Sequence, residues 1–135
     1  MISDPYMNNE RSCERLLESY NRWGSLIVAV DFDDTIYDCH KQGFIYGRVI
    51  NCIKRCNKNG LQVVIFTANQ NEQKVLDYCK KIGIKIEGIN KNLVPKYDKS
   101  KKIYYHILLD DKAGLKSAFI ILDNLLDIIE TDKGK

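Results

Sequence analysis

Apolar residues fall along this chain in two alternating patterns. One is the short, mainly apolar run: Leu26–Val30 (LIVAV), which is unbroken, Leu61–Phe66 (LQVVIF), Ile84–Ile86 and Ile103–Leu109 (IYYHILL). Runs of this length, rich in β-branched and aromatic residues, predict strands covered on both faces, as in a parallel sheet with helices above and below. The other is the stripe at three- and four-residue spacing, which predicts amphipathic helices. Leu16, Leu17, Tyr20 and Trp23 form one stripe between Ser12 and Trp23, and Val49, Ile50, Ile53 and Cys56 form a second over Gly47–Asn59. Val75, Leu76, Cys79 and Ile82 form a third over Gln70–Ile82, and Leu125, Leu126 and Ile129 a fourth over Asp123–Glu130. Ser12 is expected to cap the first helix, and Asn69 with Glu72 to form a capping box for the third. Gly24 and Gly83 end the first and third stripes, and Gly60 suits a left-handed cap after the second. Phe119–Leu122 reads as a last short strand, Ile36–Phe44 as a loop or small hairpin, and Trp23 as a core residue. Strand alternating with helix predicts right-handed crossovers and an α/β, three-layer αβα, Rossmann-like fold around a mainly parallel sheet.

The length of 135 residues suits one domain. It is expected to span residues 12–131, with a helix over 12–24 and a core over 26–122. Residues 1–11 read as a flexible polar tail and 132–135 as a second. No apolar run approaches the roughly 20 residues that cross a bilayer, so no membrane partner is expected. The five cysteines are odd in number and form no CxxC pair. They read as reduced structural residues, and with a polar N-terminus lacking a secretory apolar segment they make a cytoplasmic location the expectation. The net charge of +3 is mild, but Lys91, Lys96, Lys99, Lys101 and Lys102 crowd one segment.

Chemistry is concentrated where the runs end. The first delivers Asp31, Asp33 and Asp34, the second Thr67, the last Asp110 and Asp111. Charged side chains do not remain unpaired in an apolar layer, so each strand must emerge there. In a parallel sheet all three ends reach the carboxyl edge, where ligands bind in open α/β folds. Acids gathered so closely repel one another and call for a cation, best a hard divalent metal. Acids, hydroxyl, metal and a lysine before the last strand together suit phosphoryl transfer. His40 reads as a surface loop residue.

These motifs resemble those of the haloacid dehalogenase superfamily. Its first motif, four apolar residues followed by DxDxT, is matched by Ile27–Thr35. Its second is matched by Val63–Thr67 and its fourth by Ile107–Asp111. Its third is a single lysine, for which Lys102 is preferred and Lys101 comes next. The resemblance implies that Asp31 is the nucleophile forming an aspartyl-phosphate and Asp33 the general acid and base. Thr67 would hold the phosphoryl group and Lys102 would balance its charge. Mg²⁺ would be held by Asp31, the carbonyl of Asp33, and Asp110, with Asp111 assisting. Asp33 argues against a dehalogenase, because relatives that cleave carbon–halogen bonds lack this second acid. Asp34 is expected to be a turn residue.

The intervals Thr35–Val63 and Thr67–Lys102 leave no room for an inserted cap domain, so the site should be open. The chain resembles small capless phosphatase-like members found in bacteria and phages, down to the segment Ile89–Asn92. The expected activity is a Mg²⁺-dependent phosphomonoester hydrolase. Its substrate would be a nucleotide, a nucleic-acid end or a small phosphomonoester, with the basic segment favouring the first two. The alternative is a catalytically weak metal- and phosphate-binding or regulatory module. A homo-oligomer is compatible with either.

Overall fold

The computed structural model describes residues 4–134. Strands β1 (Ile27–Val30), β2 (Gln62–Ile65), β3 (Gly88–Ile89) and β4 (Ile107–Leu109) form one sheet in the order β3-β2-β1-β4, and every pairing is parallel. The unbroken apolar run at β1 marks its central place, and all four of its residues are buried. Helices α1 (Asn9–Trp23), α2 (Gly47–Lys58), α3 (Glu72–Ile82) and α4 (Leu115–Lys133) cover the sheet. The result is the expected α/β architecture without a cap domain. No described helix is long and apolar enough to cross a membrane.

Several expected elements shift, each for a local reason. α1 begins at Asn9 rather than residue 12, because Asn8, not Ser12, accepts the Arg11 N–H at its N-terminus. A short 3-10 turn at Pro5–Met7 precedes it, so order extends into the expected 1–11 tail, of which residues 1–3 lie outside the described residues. Trp23 is 70% exposed rather than in the core, while Leu16 is buried and Leu17 and Tyr20 pack against the core. Likewise Leu76 is exposed while Val75 and Cys79 are buried. Asn71 caps α3, and Asn69 instead accepts the Asn71 N–H in the turn before it.

Ile84–Ile86 is not a strand. Lys85 makes both its main-chain bonds to the Asn57 side chain, which replaces a neighbouring strand, and ladder pairing starts only at Gly88. The run Ile103–Leu109 pairs as a strand only over Ile107–Leu109, since the Ile27 N–H is taken by His106 Nδ1 at 2.9 Å rather than by a carbonyl. Burial lowers the His106 pKa, consistent with this accepting role. Phe119–Leu122 belongs to α4. Leu122 continues the stripe of Leu125, Leu126 and Ile129, and helical period overrides the strand preference of FIIL. α4 consequently runs past the expected domain limit at 131 and into the expected tail at 132–135, of which residue 135 lies outside the described residues.

α2 and α4 are tied by one guanidinium. Arg55 reaches Asp123 at 2.6 Å, Asp127 at 2.7 Å and Glu130 at 2.6 Å. Glu130 also accepts from Asn59 at 3.1 Å.

Candidate active site

The order β2-β1-β4 sets the ends of the three acid- and hydroxyl-bearing segments side by side. Val30 pairs with Ile65 on one side and Leu109 on the other, so the next residues leave the sheet together. The Asp31 N–H donates to Leu109 O at 2.9 Å and the Phe66 N–H to Val30 O at 2.8 Å, which fixes Asp31 between the two neighbours. Asp31, Asp110 and Asp111 each bring a carboxylate oxygen to within 4.8 Å of the others.

Thr35 organises this cluster. Its side chain is fully buried, and its hydroxyl oxygen lies 3.0 Å from Asp31 Oδ2 and 3.1 Å from Asp111 Oδ1. It also accepts the Asp111 N–H at 3.0 Å. A hydroxyl has one proton, so it donates to one carboxylate at a time. Burial, then the hydrogen bond with Asp111, pushes the Asp31 carboxyl up to about 7. Burial acts upward on Asp111 too, but the hydrogen bonds from Asp31, Thr35 and Asp110 outweigh it and hold its carboxyl below the ordinary value. Burial and the neighbouring carboxylates therefore favour the protonated form of Asp31 over that of Asp111.

The turn after Asp31 is built on Phe32. The Phe32 carbonyl accepts the N–H groups of Thr35, Ile36 and Tyr37, and its buried ring stacks on Tyr37 with centroids 4.9 Å apart. Tyr78 meets both rings edge-on and donates its hydroxyl to Ile36 O at 2.6 Å. Asp34 has φ 63° and donates its N–H to Tyr37 O, the geometry of a turn residue. Asp33, half-buried, pairs with Tyr37 in a short parallel bridge. No described residue donates to the Asp33 carbonyl oxygen, which leaves it open as a ligand.

Thr67 is buried and clamped from β3. Its N–H donates to Asn90 Oδ1 at 2.8 Å, and Asn90 Nδ2 donates back to Thr67 O at 2.7 Å. Thr67 Oγ1 accepts the Asn69 N–H at 3.0 Å. Asn90 was legible in the sequence only as part of the segment after the third strand. Its signal is an amide two residues past Gly88, where a parallel neighbour has just left the sheet.

The structure brings Asp31, Asp33, Thr67, Asp110 and Asp111 to one edge and leaves Lys102 out. β4 runs parallel to β1, so the residues before it lie at the amino edge, where His106 meets Ile27. Lys102 is exposed there, bordering a hollow of about 280 Å³ with Tyr97, Ser100 and Tyr104. Lys101 is exposed beside it. A lysine at the acid edge is Lys74, in the first turn of α3, with its ammonium 4.6 Å from the centre of the Tyr37 ring.

The donor set fits a hard divalent metal. It offers carboxylate oxygens and an open carbonyl, with neither thiol nor imidazole among them. A family model described as haloacid dehalogenase-like hydrolase matches residues 28–133. No curated protein and no solved structure matches the chain.

Proposed function

The chain belongs to the haloacid dehalogenase-like hydrolases, and from that premise we propose that it is a Mg²⁺-dependent phosphomonoester hydrolase working through an aspartyl-phosphate. The observation that carries this reading is the convergence of the Asp31, Asp110 and Asp111 carboxylates beside Asp33 and Thr67.

Asp31, with the turn behind it held by Phe32 and Tyr78, presents an oxygen to phosphorus. As that bond forms, the bond from phosphorus to the ester oxygen breaks, and Asp33 donates its proton to the departing oxygen. Asp33, now a carboxylate, takes a proton from water. The water oxygen bonds to phosphorus, and the acyl-phosphate bond breaks to release phosphate and restore Asp31. The Thr67 hydroxyl donates to a phosphoryl oxygen. Asp31, Asp110, Asp111 and the Asp33 carbonyl would hold Mg²⁺, which supplies positive charge against the phosphoryl oxygens. Lys102, at the far edge, is not assigned a role in this scheme, and Lys74 is a cation on the acid side, 4.6 Å from the centre of the Tyr37 ring.

Without a cap the site accepts the phosphate of a nucleotide, a nucleic-acid end or a small phosphomonoester. Lys96, Lys101 and Lys102 lie at the other edge and so give no reason to favour the first two. The absence of Lys102 from the cluster is also what favours the alternative of a catalytically weak metal- and phosphate-binding module. Phosphate release from an aryl phosphate distinguishes the two. The enzyme reading expects Mg²⁺-dependent turnover that Asp31→Asn reduces at least 10³-fold. Equal inactivity of both proteins over a broad panel of phosphomonoesters would leave the binding module.

A further inference from the structure

A second group of metal-ligating side chains lies in the loop that follows Asp33, and its chemistry differs from that of the acid cluster. We propose that Asp34, Cys39 and His40 form a site for a borderline-soft divalent cation of the zinc type. Tyr37 builds it. Its carbonyl accepts the N–H groups of both Asp34 and Cys39 at 2.8 and 3.0 Å, closing the loop so that residues five and six apart face each other. The Tyr37 ring is itself held against Phe32 and Tyr78, so the loop starts from a fixed base.

The donors are already near coordinating distance. Cys39 Sγ stands 3.3 Å from Asp34 Oδ1, and His40 Nε2 3.2 Å from Asp34 Oδ2. One atom from each of the three residues lies within 4.8 Å of the other two. Zinc binds sulfur at about 2.3 Å and nitrogen or oxygen at about 2.0–2.1 Å, so neighbouring donors of a tetrahedral ion stand roughly 3.3–3.7 Å apart. Closing this group on an ion therefore asks mainly for a small rotation of His40, which is free to make it, with its side chain 67% exposed. Three protein donors would leave the fourth tetrahedral position for a water.

Donor type separates the two sites. Thiolate and imidazole favour zinc or cobalt over magnesium, whereas the Asp31, Asp110 and Asp111 oxygens favour the hard ion. On binding, the Cys39 thiol loses its proton to solvent and bonds the metal through sulfur. The other four cysteines are buried and uninvolved.

The test is a Co²⁺ titration of the full chain in excess Mg²⁺, followed by absorbance. One equivalent should give a thiolate-to-cobalt charge-transfer band, and Zn²⁺ should abolish it. Cys39→Ser should remove the band, His40→Ala should weaken cobalt binding at least tenfold, and Asp31→Asn should keep both band and affinity. Zn²⁺ should also slow alkylation of Cys39, a readout independent of phosphatase activity. A missing band, a band that survives in Cys39→Ser, affinity unmoved in His40→Ala, or displacement by Mg²⁺ would reduce the group to a hydrogen-bonded turn and overturn the proposal. Because none of these measurements requires turnover, failure here and failure of the phosphatase reading are separate results.

Discussion

The carboxyl of Asp31 is the residue on which the site's energetics turn. Its pKa is raised to about 7 by burial and the neighbouring Asp111, so the folded state binds a proton that the unfolded chain releases near pH 4. Between those values the folded protein holds more protons than the unfolded one, and stability must fall as pH rises. Metal-free protein should therefore lose stability from pH 4 toward 7 relative to Asp31→Asn. At pH 8 the variant should be the more stable by about 1 kcal/mol, a figure reduced for solvent screening of this partly exposed group. The two should converge at pH 4. Mg²⁺ should reverse the order at pH 8 by supplying the positive charge that the ionised Asp31 then lacks, and thermal unfolding at the two pH values, with and without Mg²⁺, checks both signs. The identity of these acids was legible in the sequence because each follows an apolar run. The structural work of Thr35 was not. A Thr two residues past Asp33 looks like a turn residue, and only the strand order shows that its hydroxyl meets an acid 76 positions away.

At the scale of elements, period decided what could be read. α2 appears as its stripe predicts because Val49, Ile50, Ile53 and Cys56 repeat over about two turns, and all four are buried. Short apolar runs carry no such signature, and that is why Phe119–Leu122 read as a strand while lying inside α4. The pattern also misses side chains that take the place of main chain, as Asn57 does for Lys85 and His106 for Ile27. Nor does it reveal the bond between α2 and α4, since the three carboxylates around Arg55 become one cluster only at i, i+4 and i+7 of a continuous helix. Arg55→Ala should destabilise the protein by about 1 kcal/mol, more than an isolated surface pair because one guanidinium serves three carboxylates. The Arg55 hydrogen bond holds the Glu130 carboxyl below its ordinary value, so this contribution is present at neutral pH and is lost on acidification through the carboxylate range. Urea unfolding of the two proteins should therefore differ at pH 7 and converge near pH 3.

For the whole molecule, the decisive fact is that a parallel sheet has two unlike edges. Acids and hydroxyl leave at the carboxyl edge, and the segment carrying Lys96, Lys101 and Lys102 enters β4 from the other. The sequence contained this answer. A run of seven residues read as a strand, at about 3.3 Å per residue, separates its ends by roughly 20 Å. A lysine just before Ile103 thus stands far from Asp110, however close the two look in a motif. In the proposed phosphoryl transfer, charge on the phosphoryl oxygens would then be met at the acid edge, where Lys74 sits over the ring of Tyr37, whose main chain pairs with Asp33. Lys102→Ala is expected to keep kcat/KM for an aryl phosphate within about twofold of the wild type, because a solvent-screened charge beyond a Debye length of about 10 Å contributes little to a transition state. Lys74→Ala should lower it by more, through kcat rather than KM if its ammonium acts on charge that develops as the ester bond breaks. Steady-state kinetics of the two variants decides the matter: a tenfold or larger loss in Lys102→Ala would mean that the chain from Tyr97 to Tyr105 swings to the other edge during catalysis.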